Sequence, residues 1–251
     1  MKILRTLARL VPLLGFAILA APSALPQTIS VDLGTGQGLT SGIVQMVAAI
    51  TVLSLAPSIL VMTTSFVRIV VVLSLVRTAI GLQNAPPNSV IISLSLFLTA
   101  FVMTPTFLQS YEAGIQPYMA EAITLEEAIP RVLGPVQKFM GAHANEADVA
   151  LFADMANIQN LQNASDAPFQ VLAPAFMISE LKRAFEIGFM VFLPFLVIDL
   201  VVSSILMAMG MMMLPPVTIS LPFKLIFFVL VDGWRMLSGS LVESFTQIPP
   251  S

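Results

Sequence analysis

The chain has 251 residues, of which 57% are hydrophobic and only 10% are charged. Soluble domains carry about 25% charged residues, so this composition excludes an ordinary water-soluble globule and indicates a membrane protein. The net charge of −3 argues against a nucleic-acid partner, and the absence of cysteine excludes disulfides and thiolate metal sites.

Residues 1–24 are typical of a signal peptide. Basic residues up to Arg9 precede an apolar run over 10–21, and small residues with prolines follow. The apolar run is too short to cross about 30 Å of hydrocarbon comfortably, although a retained short anchor is the alternative. We therefore predict cleavage near residue 24, followed by a flexible, glycine-rich mature N-terminus over 25–41.

Residues 42–108 are predicted to form a first helical hairpin. Two long stretches without charge indicate membrane helices over about 42–66 and 89–108, because such a helix needs about 20 apolar residues. Pro57 predicts a kink in the first helix, which could continue past its predicted end. The sequence NAPPN at 84–88 predicts the turn, since its prolines end any preceding helix.

Residues 109–173 are acidic and are predicted to form a helical insert outside the cytoplasm. Arg68 and Arg77 flank the preceding turn, which places that turn in the cytoplasm and the insert on the opposite side. Thr124 and Glu127 have capping-box spacing, which predicts the start of a helix. The single histidine, His143, lacks a cysteine or second histidine partner, so we expect a surface residue rather than a metal ligand or base.

Residues 174–251 are predicted to form a second helical hairpin around a methionine-rich loop. We expect its helices over about 183–209 and 218–241. A charge near the middle of a bilayer costs a few kcal/mol, so charged residues there face protein or water rather than lipid. At about 100° per residue, several of these charges would share one side of the last helix. They are Lys224, Asp232 and Arg235.

Several long motifs dominate the last third of the chain. Within 174–234 they are PAFMISELKRAFEIGF, PFLVIDLVVSSILMAMGMMMLPP, ISLPFK and FVLVDGW, and residues 63–88 read TTSFVRIVVVLSLVRTAIGLQNAPPN. These motifs resemble the FliP/SctR family of type III protein-export subunits, and the resemblance extends over about 41–234. The similarity is closer to flagellar FliP than to SctR of virulence injectisomes.

The resemblance implies an architecture and a set of partners. It implies an all-α, integral membrane-type subunit with long, kinked helical hairpins, which assembles into a ring-like helical export gate. FliP-like subunits form a ring of five copies with FliQ- and FliR-like subunits, alongside FlhA- and FlhB-like components. Unfolded export substrates pass through this gate. No enzymatic activity, cofactor or metal is implied.

The resemblance also implies a location. The gate lies in the bacterial inner membrane, within the flagellar basal body, and its assembled core lies partly on the periplasmic side. In such an assembly the charges of the second hairpin meet other subunits rather than lipid.

The methionine-rich loop is the candidate gate. Methionine is apolar and flexible, so a ring of several copies can exclude water and ions and still yield when a substrate passes. The residues are Met209, Met211, Met212 and Met213, of which the resemblance identifies the last three with the family's gasket. The alternative is a methionine-rich helix end that packs in a core.

The resemblance further implies an ion pair between Glu180 and Lys224 of adjacent subunits. The alternative is that Glu180 is solvated and that Lys224 extends to a lipid headgroup. We predict that Asp199 and Asp232 are buried structural charges, with proton handling as the alternative for Asp199.

Two other classes of function are an intramembrane hydrolase and a small-solute transporter. An intramembrane hydrolase would have only Asp199 and Asp232 as a catalytic dyad, and neither lies in a recognisable protease motif. A small-solute transporter would need more spans, and its usual internal repeat is missing from this sequence. Both are therefore less favoured than an export-gate subunit.

Overall fold

The computed structural model describes residues 37–158, 161, 163–211 and 213–246. Helices and the turns between them account for these residues, and no strand occurs among them. The prediction of an all-α chain is therefore confirmed. The predicted signal peptide over 1–24 and most of the predicted flexible segment, 25–36, lie outside the described residues.

Nine α-helices follow one another in the described chain. They are α1 (Gln37–Thr63), α2 (Phe66–Ile80), α3 (Asn88–Ser110), α4 (Gln116–Met119), α5 (Leu125–His143), α6 (Glu146–Met155), α7 (Phe169–Ala208), α8 (Pro216–Leu230) and α9 (Gly233–Thr246). A π-helical turn over Tyr111–Ile115 joins α3 to α4, and a 3₁₀ turn over Ala164–Asp166 precedes α7.

The chain divides after Ser54 into two units. The described part of the first unit belongs to α1, which begins at Gln37 rather than near residue 42 as predicted. The first turns of this helix are polar, but they contain no proline that would interrupt it, because its proline is Pro57. Large apolar side chains such as Val44 and Leu53 are exposed along it.

The second unit has α2 at its centre. α1 ends at Thr63, so the possible continuous helix across this region is interrupted before α2 begins at Phe66. The side chains of Ile69, Leu73 and Val76 are fully buried, and α2 packs mainly against α7 and α3.

The acidic insert has a core of its own, which it shares with the start of α7. Met140 of α5 and Val149 of α6 pack with Leu172 and Phe176 of α7. The predicted capping box is present, because the Thr124 side chain accepts a hydrogen bond from the backbone N–H of Glu127 and the Glu127 carboxylate accepts one from that of Thr124. The insert is thus packed against the second hairpin rather than forming a separate body.

Helix α7 is longer than predicted. It begins at Phe169 instead of near residue 183, and Pro174 and Pro194 lie within it. The sequence predicts that Lys182 precedes this helix. The structure instead buries Glu180 against another helix, so its charge does not interrupt α7.

The last predicted helix is two helices, α8 and α9, whose axes differ by 61°. The break occurs at Asp232, which has a left-handed φ of 51°. Consequently Lys224 lies on a different helix from Arg235, and the predicted polar stripe on one helix side is wrong.

Two helical stretches in the described chain are long and apolar enough to cross a membrane, Asn88–Met119 and Phe169–Ala208. Two bent pairs, Gly42–Leu55 with Pro57–Thr63 and α8 with α9, raise the number to four if each pair is counted as one span. This number follows from length and composition alone, and it supports the prediction of a membrane-type subunit.

The bend between α8 and α9 gives a testable prediction. A Cβ at Gly233 would lie 2.2 Å from a ring atom of Phe228. We expect Gly233→Ala to lower the free energy of unfolding by about 1–3 kcal/mol, because the ring must shift within packed surroundings. The midpoint of thermal unfolding in detergent measures this loss.

The matched control is Gly239→Ala. It adds the same methyl group within α9, where a Cβ would meet no atom within 4 Å. Alanine favours helix over glycine, so this variant should keep or raise the midpoint. Equal midpoints for the two variants would contradict the packing at Gly233.

Candidate functional site

A short loop joins α7 to α8. α7 ends at Ala208, and Gly210 follows with φ of 73°, a conformation that glycine adopts without strain. Pro215 precedes α8 and Pro216 begins it, where a missing N–H is tolerated. The loop therefore has a defined start and a defined end.

The methionines of this loop are exposed. Met209 is 65% exposed, Met211 44% and Met213 98%, whereas Met212 lies outside the described residues. Among the described residues, these three side chains do not pack in a core, which was the alternative interpretation. A cluster of exposed apolar side chains marks a surface that meets a partner or a ligand.

An ion pair links the two helices on either side of the loop. The Lys224 ammonium of α8 donates to the Asp199 carboxylate of α7 at 2.6 Å and to the backbone carbonyl of Ala79 at 3.3 Å. The Ser220 hydroxyl donates to the other Asp199 oxygen at 2.6 Å. Lys224 is buried and the Asp199 side chain is 29% exposed, so the predicted burial of Asp199 is only partial.

A second ion pair lies deeper in the core. Arg68 of α2 donates from Nε to the Glu180 carboxylate of α7 at 2.7 Å, and its Nη2 donates to the other carboxylate oxygen. Both side chains are at most 1% exposed. Such a two-point contact fixes orientation as well as distance between the helices.

Helix α9 is attached to the same arginine. Nη1 of Arg68 donates to the Ser244 hydroxyl at 3.0 Å, and the guanidinium lies 3.7 Å from the centroid of the Phe245 ring. Cation–π contacts of this kind are strongest where water is excluded. Arg68 thus connects α2, α7 and α9.

Glu180 and Lys224 have separate partners within the chain. Glu180 pairs with Arg68 and Lys224 pairs with Asp199. Both are buried, so neither a solvated Glu180 nor a Lys224 that extends to a headgroup fits this chain. The pair between adjacent subunits stays a prediction.

The prediction that Asp232 is a buried charge does not hold within the chain. Its side chain is 67% exposed and lies 3.8 Å from Nη1 of Arg235, which is itself 87% exposed. Asp232 lies at the bend between α8 and α9, where its φ is left-handed. Asp199 lies on a different helix, α7, and is paired with Lys224, so among the described residues each of the two aspartates has a basic partner rather than the other aspartate.

His143 is buried, which corrects the prediction of a surface residue. Its Nδ1 lies 2.8 Å from the carbonyl oxygen of Phe139, and its Nε2 lies 3.3 Å from that of Phe245. The polar composition of the insert suggested exposure, but the end of α9 covers this ring. Over the described ranges, no group of three His, Asp or Glu residues is placed to hold a metal ion.

Sequence reasoning missed Arg68 as a site residue. The signal was available, since this arginine directly follows a charge-free window over 33–67. An isolated charge in such a run must find a partner, although the sequence does not say which one.

The sequence model of the FliP family matches residues 49–241. The chain is 62% identical over 231 residues to the flagellar biosynthetic protein FliP of Caulobacter vibrioides, covering 92% of this chain and 87% of that relative. It is 51% identical to that of Bacillus subtilis, covering 82% of this chain and 93% of the relative. For Pectobacterium carotovorum the identity is 50%, with 90% and 88% covered.

The buried pair gives a second prediction. Arg68→Met leaves the Glu180 carboxylate buried without its partner, and we expect it to lower the free energy of unfolding by about 3–5 kcal/mol. The double variant Arg68→Met/Glu180→Met removes both charges, so it should recover most of this loss. Thermal unfolding in detergent measures both effects.

Arg235→Met is the matched control, because it removes an arginine that is 87% exposed. Exposed ion pairs contribute little, so its unfolding midpoint should stay close to that of the unmodified chain. A double variant no more stable than Arg68→Met would show that the pair is not the source of the loss.

Proposed function

This chain belongs to the FliP family, and from that premise we propose that it is a subunit of the flagellar protein-export gate. The relatives named above are flagellar biosynthetic proteins, which supports a flagellar rather than a virulence apparatus. In this proposal the chain forms part of the pore that unfolded export substrates cross, and it acts mechanically.

The loop between α7 and α8 is the proposed gate. The observation that carries this proposal is the exposure of Met209, Met211 and Met213 in a loop whose two flanking helices are joined by the Asp199–Lys224 pair. A loop with anchored ends and flexible, apolar side chains can close a pore and still yield to a passing chain. Several copies around one axis would exclude ions by dewetting.

The outer surface supports assembly with other subunits. Phe189 and Leu200 of α7 and Phe223 and Leu230 of α8 are more than half exposed. Patches of this kind mark interaction surfaces or contact with lipid. We propose that they meet further copies of this chain, in a ring of five, together with FliQ- and FliR-like subunits and the FlhA- and FlhB-like components of the apparatus.

We propose the bacterial inner membrane, at the flagellar basal body, as the location of this assembly. The apolar stretches Asn88–Met119 and Phe169–Ala208 support a membrane environment. The acidic insert, which the sequence predicts to lie outside the cytoplasm, packs on the first turns of α7. This contact supports our proposal that part of the core lies on the periplasmic side.

The proposed gate predicts that shortening the loop methionines lets ions leak through the complex. Met211→Ala, Met212→Ala and Met213→Ala, combined in one variant, should raise the ion conductance of the purified complex at least tenfold, because shorter side chains leave a wider, wetter constriction. Conductance of the complex with its partner subunits in a planar lipid bilayer measures this change.

The control variant is Met119→Ala/Met155→Ala, which shortens two exposed methionines outside the loop. Its conductance should equal that of the unmodified complex. An unchanged conductance in the loop variant, with the complex intact, would contradict the proposed gate.

Exchanging the charges of two paired residues tests which residue is the partner of Glu180. The structure pairs Glu180 with Arg68, so we expect Arg68→Glu/Glu180→Arg to restore flagellar motility that either single reversal abolishes. Swimming in soft agar measures this rescue. Rescue by Glu180→Lys/Lys224→Glu, with none by the first exchange, would instead favour direct pairing between adjacent subunits.

A further inference from the structure

A charged cavity of about 440 Å³ opens beside α7, away from the methionine loop. Lys182, Arg183 and Glu186 of α7 line it, together with Asn145 and Ser244. Arg68 also reaches this cavity, but Glu180 already neutralises its charge. The cavity therefore offers two further cations and one carboxylate.

An apolar groove of about 480 Å³ adjoins this cavity, and Ile187 lines both. Met190 and Pro194 continue the groove along α7, and Phe227 and Leu237 form its other wall. Residues three or four positions apart share one face of a helix, so the charged cavity and the groove follow one another along the same side of α7.

The free charges of the cavity do not cancel. Lys182 and Arg183 have no carboxylate within 4.0 Å among the described residues. With Glu186, the three groups carry a net charge of +1. This value matches the single negative charge of a phosphodiester headgroup.

The position of the cavity along α7 also suits a lipid headgroup. The cavity lies where the charged segment around Arg183 gives way to an apolar stretch that continues to Ala208, with Asp199 as its only charge. Lysine and arginine at such a boundary place their charge at the level of lipid headgroups. The groove follows α7 from this boundary into the apolar stretch.

From these observations we propose that the cavity and the groove form one binding site for an anionic phospholipid. The phosphate contacts Lys182 and Arg183, and one acyl chain lies along the groove. This site goes beyond the proposed gate and does not depend on it.

The lining of the groove favours an acyl chain over an extended peptide. Ser240 contributes the only polar side chain among the described residues that line it. The backbone N–H and C=O groups of a peptide would find few hydrogen-bond partners there, and each unpaired group carries a penalty. A hydrocarbon chain has no such groups.

Native mass spectrometry of the full chain in detergent tests this site. The probes are phosphatidylglycerol and phosphatidylethanolamine with the same palmitoyl and oleoyl chains, added at equal concentrations. We expect one tightly bound phosphatidylglycerol per chain and weaker binding of phosphatidylethanolamine. Lys182→Gln/Arg183→Gln should raise the dissociation constant for phosphatidylglycerol at least tenfold.

The matched control is Arg131→Gln/Lys138→Gln, which removes one arginine and one lysine that are both exposed on α5. It should bind phosphatidylglycerol as the unmodified chain does. A second variant, Ser240→Phe, fills the groove without changing charge and should also weaken binding. Circular dichroism confirms the helical content of each variant.

Three results would overturn the proposal. The first is equal binding of phosphatidylglycerol by the Lys182/Arg183 double variant and its control. The second is equal affinity of the unmodified chain for the two lipids. The third is no lipid binding by the unmodified chain together with loss of subunit assembly in the double variant, which would assign this surface to a protein partner.

Discussion

The relative positions of α2, α7 and α9 depend on the buried ion pair between Arg68 and Glu180. Two charges removed from water are tolerated only when each satisfies the other, and here the contact is made through both carboxylate oxygens. An intact pair of this kind adds little net stability, but a mispaired charge is costly. The pair therefore sets the register of α2 against α7, and Ser244 and Phe245 attach α9 to the same point.

A second pair repeats this arrangement near the methionine loop. Asp199 and Lys224 hold α7 to α8, and Lys224 also contacts the last turn of α2. The charges that conflicted with a lipid-facing helix are thus largely neutralised inside the chain. The resemblance implied that they meet other subunits, whereas the structure shows that a single chain already supplies a partner for the two most buried ones.

With Glu180, Asp199 and Lys224 paired inside the chain, much of the exposed surface of α7 and α8 is apolar. That surface is suited to neighbouring subunits and to lipid, and the loop that carries Met209 and Met213 extends from an anchored pair of helices. The same helix α7 forms the core through Glu180, anchors the loop through Asp199 and lines the charged cavity through Arg183. The proposed mechanical role fits this division, because the rigid ion-paired contacts lie on α7 and the flexible methionines lie in the loop that follows it.

The sequence by itself determined the helical membrane class, the family, the turn at 84–88, the capping box at Thr124 and the methionine loop. Each follows from composition, from neighbours a few residues apart or from long motifs. Only the tertiary structure decided that Glu180 pairs with Arg68, which is 112 positions away in the chain, and that the end of α9 buries His143. It also decided the bend at Asp232, where the ring of Phe228 packs on Gly233. Local patterns act within a few residues, whereas the partner of a buried charge depends on which helices packing brings together.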